Sequence, residues 1–315
     1  MMEALVKFIR HRTTLIVICA LLALAGATYF FVQSELTRPG LSAHAVGTSD
    51  ETPVTLSPQV VALVTERATV PAKSPVGESL ASRYRTTDNF RRFIEDAKQR
   101  PEDGGYYYAF RALRHCKVLG NVGGGPTAGQ QEYRADVQAA RERIRSACAP
   151  VLREEMEDGY LHEFHERGRR LGDPLLKAAT LANQGESSAR RALIQQGPAL
   201  SDPLFLSEYG IALSERRAKS GELYFDGRWW GEGEQELLSA AWLLVPCAFG
   251  WDCGGSDLDV VAACATSGKC YRDREMLIRE ELLQGDEERL QSVIALRDRI
   301  ISALEGRRVG AFIPS

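Results

Sequence analysis

Residues 168–175 read GRRLGDPL and residues 197–204 read GPALSDPL, five identities in eight positions at an offset of 29 residues. Each copy carries a helix start. An Asp side chain can accept from the free N–H groups of a first helical turn, and a Pro fits that turn because its missing N–H is not needed there. Asp173 and Asp202 are therefore expected as caps, with Pro174 and Pro203 in the first turn and Leu175 and Leu204 entering the core. With a Gly closing the preceding helix, the spacing predicts two helices per unit of roughly 30 residues, the logic of stacked helical hairpins.

Over residues 150–215 this pattern, with Gly172-Asp173 and the small residues Ala178, Ala179 and Ala182 between paired helices, resembles the tetratricopeptide and Sel1-like repeat families. The resemblance implies an array of helical hairpins with a groove for a partner. The tetratricopeptide Trp-Leu-Gly-Tyr signature is absent.

Helical periodicity extends in both directions from the repeat. Upstream, Phe90, Phe93, Ile94 and Ala97 mark one helix face, started near Thr87-Asp88 and ended by Pro101. Tyr106, Ala109, Phe110, Leu113 and Cys116 mark a second. Gly120 to Gly129 reads as a connection, and helices are expected from about Gln130 to Ala147 and from Val151 to Arg170. Downstream, helices are expected over Glu232–Val245, Asp273–Leu283 and Glu287–Leu304, the last with a stripe of Leu290, Val293, Ile294, Ile300, Ile301 and Leu304.

One segment departs from this pattern. Residues 222–230 read ELYFDGRWW, and Asp226-Gly227 is the pair that a two-residue hairpin turn requires, because both positions need positive φ. Pairing across it sets Phe225 opposite Arg228, Tyr224 opposite Trp229 and Leu223 opposite Trp230. Alternation puts Leu223, Phe225 and Trp230 on one face and Tyr224 and Trp229 on the other. A hairpin this short must pack one face on the helices, and the more apolar Leu/Phe/Trp face is expected inside. The fold class expected is all-α, a repeat-like helical-hairpin array with one small β-hairpin.

The N-terminus adds a membrane segment. Thr13 to Val32 (TTLIVICALLALAGATYFFV) holds no charged residue. Twenty residues at ~1.5 Å each span ~30 Å, the thickness of a bilayer core. Lys7, Arg10 and Arg12 precede it, which places the N-terminus in the cytosol. The competing reading is a signal peptide cleaved after Ala23-Leu24-Ala25, although the apolar run continues through Val32. From Ser34 to Ser82 there is no Phe, Tyr or Trp, and five of the thirteen prolines fall there. Such a stretch cannot bury enough apolar surface to order itself. The expected organisation is a cytosolic segment (1–12), a transmembrane helix (13–32), a tether (33–83) and an exported helical domain (84–310), periplasmic in a Gram-negative cell.

Cysteine usage fits an oxidising compartment. Apart from Cys19 there are six: Cys116, Cys148, Cys247, Cys253, Cys264 and Cys270. An even number beyond an export signal points to disulfides, and the Cys-x5-Cys spacing is too wide for the usual zinc pairs. Cys247–Cys253 and Cys264–Cys270 would close short loops with Gly250 and Gly268 free to turn left-handed, leaving Cys116–Cys148. The crossed pattern, Cys247–Cys264 with Cys253–Cys270, is the alternative.

No chemistry stands out. The chain carries a net charge of −3, and Glu3, Lys7, Arg10 and Arg12 leave the remainder more acidic still, which excludes a nucleic-acid footprint. His162 and His165 in LHEFHE share a helix face, but no third ligand is evident, so no metal and no cofactor are expected. Catalytic residues are not identifiable; a hydrolase acting on cell-wall material is the alternative to a binding protein. All four tryptophans lie between Trp229 and Trp251, and aromatic rings are common interface anchors. The candidate binding residues are Tyr224, Arg228 and Trp229, for an exported protein or cell-envelope partner. The topology is testable with fusions after Ser315: a reporter that fluoresces only in the cytosol should stay dark, and one active only outside should work. Bright cytosolic fluorescence would overturn the export reading.

Overall fold

Short polar side chains start most of the helices in the computed structural model, which describes residues 79–120 and 134–314. Ser79 Oγ accepts from the Ser82 N–H at the head of α1 (Leu80–Thr86), and Asn89 accepts from Arg92 at the head of α2 (Phe90–Ala97). After a 3₁₀ turn come α3 (Gly105–Leu119) and α4 (Ala135–Cys148). The repeat region forms α5 (Asp158–Arg170), α6 (Pro174–Gln184), α7 (Ser187–Gln196) and α8 (Pro203–Tyr209). Beyond the hairpin lie α9 (Gln235–Ala248), α10 (Leu258–Ser267), α11 (Arg274–Glu281), α12 (Glu287–Glu305) and α13 (Val309–Phe312). The described chain is thus mostly helical with one small antiparallel sheet.

Both Asp-Pro-Leu starts form as expected. Asp173 Oδ1 accepts from the Leu175 and Leu176 N–H groups at 2.9 and 3.0 Å, and Asp202 accepts from Phe205 at 2.8 Å. Leu175 and Leu204 are buried. Asp173 does more than cap: it is wholly buried, and its Oδ2 accepts from the Tyr107 N–H at 3.0 Å. Burial pushes its carboxyl up; the surrounding backbone donors, those of Leu176 and Tyr107 first, only partly offset this.

Helix α3 runs through the N-terminal half with Tyr106, Tyr107, Tyr108, Ala109, Ala112 and Leu113 all buried. Close approach is enforced at Gly168 of α5, where an added Cβ would stand 2.4 Å from Leu176 and 2.6 Å from Tyr106. In the C-terminal half α9 packs along α12 and α8. There Arg274, 2% exposed, bridges Asp257, Asp259 and the Leu243 carbonyl at 2.7–3.1 Å, while Trp251 donates to Asp257.

The cysteines pair as Cys116–Cys148, Cys247–Cys253 and Cys264–Cys270, so the crossed alternative is ruled out. Gly250 and Gly268 take φ of +88° and +75° in the two short loops.

Several expectations are corrected. The single helix predicted over Val151–Arg170 is a 3₁₀ turn at Arg153–Met156 followed by α5, because Glu157 is extended (ψ 148°) and Glu155 folds back to accept from the Leu152 N–H. Leu171, which continues the apolar spacing of Leu161, Phe164 and Gly168 along that helix, is 55% exposed, since the chain turns away at Gly172 with φ +93°. The predicted boundary before Tyr84 falls inside α1. The expected membrane helix at 13–32, the tether as far as residue 78, and nearly all of the glycine-rich connection lie outside the described residues. Among the described residues no helix is long and apolar enough to cross a membrane.

Replacing Asp173 by Ala removes two cap bonds and leaves the Tyr107 N–H without its acceptor. A cap contributes ~1 kcal/mol and a stranded buried donor costs ~1–3 kcal/mol. Urea unfolding should therefore show a loss of about 3 kcal/mol. A loss below about 1 kcal/mol would mean that water replaces the carboxylate.

Candidate binding surface

The hairpin forms in the expected register. β1 (Leu223–Phe225) pairs antiparallel with β2 (Arg228–Trp230), with Leu223 opposite Trp230, Tyr224 opposite Trp229 and Phe225 opposite Arg228. Asp226 and Gly227 take φ of +51° and +88°, the two positive values that the turn needs.

Its inner face is core. Leu223, Phe225 and Trp230 are buried, the Phe225 ring lies 5.5 Å from Phe312, and Trp230 Nε1 donates to the Phe225 carbonyl at 3.1 Å. The tip is held as well: the Asp226 N–H donates to the Ala311 carbonyl at 2.7 Å, and its carboxylate takes Arg299 Nε at 2.8 Å.

The outer face carries a ladder of three side chains. Tyr224 and Trp229, both half-buried, meet edge to face with ring centroids 5.3 Å apart. Over the Trp229 ring, 4.2 Å from its centroid, lies the guanidinium of Arg217. That residue comes from a third extended segment: Arg216 bridges to Leu223, and the Tyr224 N–H donates to the Glu215 carbonyl at 2.8 Å. Glu215 is fixed in turn by the buried Arg190 and by Ser187 Oγ at 2.7 Å. Arg217 pairs with Glu222 at 2.6 Å, so its position on the ring is held from two sides.

Of the three residues singled out from sequence, Tyr224 and Trp229 are thus brought together. Arg228 is not with them. Its guanidinium lies over Trp230, 3.6 Å from the ring centroid, and pairs with Glu234 at 3.0 Å. Strand alternation explains this, because Arg228 and Trp230 are two residues apart on one strand. Arg217 was missed because it reaches the hairpin from outside it. The signal was the Lys219-Ser220-Gly221 turn, which folds the Arg216-Arg217 segment back along β1.

The other candidate chemistries separate. His162 is exposed, while His165 packs its ring against Phe110 at 5.3 Å with Nδ1 3.3 Å from Glu166. No group of three metal-ligating side chains gathers among the described residues. Acids that adjoin in sequence are committed elsewhere: Glu155 to Arg91, Glu281 to Lys269 and Tyr271. The remaining tryptophans, Trp242 and Trp251, are core.

These features define a disulfide-stapled helical domain that displays a braced aromatic ledge. Compared with protein-family models, with curated proteins and with solved structures, the chain matches none.

The two faces should answer mutation differently. Trp230→Ala leaves a cavity in the core and should cost about 3–5 kcal/mol in urea unfolding. Trp229→Ala forfeits one ring contact and one cation–π contact, about 1–2 kcal/mol together. Equal losses would make both rings core and remove the ledge as a candidate surface.

Proposed function

We propose that this chain is a membrane-anchored, exported binding protein that contacts a protein or cell-envelope component through the Tyr224–Trp229–Arg217 ledge. The observation that supports this most directly is the ledge's asymmetry. One face of the hairpin is sealed into the core while the other presents two large rings, already immobilised by Arg217 and Glu222. Rings held in place lose little freedom on binding, and Trp, Tyr and Arg dominate interface hot spots. The anchor at 13–32 and the tether after it would let the ledge reach a target away from the bilayer.

The repeat-like reading belongs to the same proposal. In the run from α5 to α8, α6 packs on α5, α7 and α8, and both α6 and α8 start at Asp-Pro-Leu; helical hairpins stacked in an array provide partner grooves. A binding role is favoured over hydrolysis because Glu208, the acid amid the tyrosines of α3, already accepts from Tyr107 at 2.7 Å and from Arg111. A carboxylate so engaged is poorly placed to exchange protons with a substrate.

The experiment is cross-linking and recovery of the full chain from solubilised membranes, with sedimentation on isolated cell-wall material as a second arm. The partner recovered with the natural chain should bind Trp229→Ala about 30-fold more weakly, the equivalent of ~2 kcal/mol. Undiminished binding by the Trp229→Ala chain would exclude the ledge.

A further inference from the structure

Among the described residues, five shielded side-chain nitrogen or oxygen atoms have no hydrogen-bond partner: Arg85 Nε, Arg111 Nε, His115 Nε2, Ser214 Oγ and Trp242 Nε1. The first three belong to one seam. Arg111 and His115 stand one turn apart on α3 and so share a face. The His115 ring lies 5.3 Å from Phe90, which lies 5.6 Å from Tyr84, the residue before Arg85. From α4, Arg143 closes the seam by donating to the Arg85 and Ser256 carbonyls, both at 3.1 Å.

Two of the three atoms, the arginine Nε–H groups, can only donate, and the third, an imidazole Nε2, donates in the forms that carry its proton. What this seam lacks is therefore an acceptor. Nearby carboxylates do not supply one. Glu208 is taken by Tyr107 and by another nitrogen of Arg111. Asp252 accepts from the Gly254 N–H and Ser256 Oγ, each at 3.0 Å, and stops 3.9 Å from Arg85 Nε. Asp259 is held by Arg274 at 2.7 Å.

We propose that the seam between α1, α3 and α4 binds a small oxyanion, of the phosphate or carboxylate type, through Arg85, Arg111 and His115, with Arg143 adding positive charge. Arginine suits this role because its guanidinium is always charged and its donors match oxyanion geometry. The site stands apart from the aromatic ledge and does not depend on the function proposed for it.

Proton linkage gives the site a signature. Burial, and then the charge of Arg111, hold His115 down at about 4, with Asp259 opposing and Arg143 adding to the effect. The groups that face this ring are thus Arg111 from its own helix, Arg143 from α4, Asp259 from α10 and the uncharged Phe90 from α2. His115 is therefore neutral above pH 6 in the unliganded chain. An anion beside it favours the imidazolium and raises its pKa, so binding takes up a proton and tightens as the pH falls.

The test is calorimetric titration of the full chain in detergent, with sodium phosphate and separately with sodium acetate, at pH 5.5 and 7.5. Saturable one-to-one binding is expected, tighter at the lower pH and with a buffer-dependent heat from proton uptake. A response to phosphate alone or to acetate alone identifies which anion class the seam takes. Arg85→Met and His115→Phe should each weaken binding at least ten-fold, with the melting temperature in anion-free buffer checking that the fold survives. In the natural chain, ¹⁵N spectra of His115 should show its titration moving upward as anion is added, which requires no substitution. No saturable binding of either anion, or a His115 titration that ignores the anion, would overturn the proposal. So would folded variants that bind as well as the natural chain.

Discussion

A single buried carboxylate, Asp173, orders the N-terminal half of this domain. It closes the first turn of α6 through one oxygen and accepts through the other from Tyr107, 66 residues earlier in the chain. Two helix starts, each a region of positive partial charge, thus converge on one anion. Burial alone would drive the acid toward its neutral form, and backbone donors oppose this. Three backbone N–H donors, from Tyr107, Leu175 and Leu176, hold the carboxyl between the two helix starts. Helix α3 is positioned by it, and α3 carries the tyrosines, Arg111, His115 and Cys116.

The C-terminal half repeats the device with a different donor. Asp257 caps α10 through the Asp259 N–H at 2.7 Å, and the same carboxylate takes the buried Arg274 and Trp251. A charge taken out of water is tolerable only when paired and fully hydrogen-bonded, and Arg274 has carboxylate and carbonyl partners around it. In both halves an N-cap Asp, a residue usually left at the surface, has been drawn inside to serve as the junction between distant elements.

This double use also explains what was legible in the sequence. The Asp-Pro-Leu starts, the Asp226-Gly227 turn with its register and the two short cysteine loops all depend on residues within a few positions of each other. Local rules of capping, turn geometry and alternation therefore reach them. The partners that complete each feature are distant: Tyr107 for Asp173, Arg274 for Asp257, and Ala311 and Arg299 for the hairpin tip. Apolar pattern also misled where the backbone intervened, as at Leu171, which has the residue type of a core position but follows the chain outward at Gly172. The ledge was half legible for the same reason. Tyr224 and Trp229 are cross-strand neighbours by register, whereas Arg217 reaches them through a strand-like segment that its own residues hardly announce.

The three disulfides close rings of very different reach. Two span a sequence separation of 6 and one spans 32. By loop-entropy reasoning the short rings restrict the unfolded chain by about 2 kcal/mol each and the long one by about 4 kcal/mol. The long ring has a further property that energy does not capture. It encloses every residue between Cys116 and Cys148, including the Gly-rich run at 120–129. A peptide bond broken anywhere inside that ring leaves two chains that stay joined through sulfur. Under oxidising conditions such a cut would remain silent until a reductant arrived, and the domain would keep its covalent continuity.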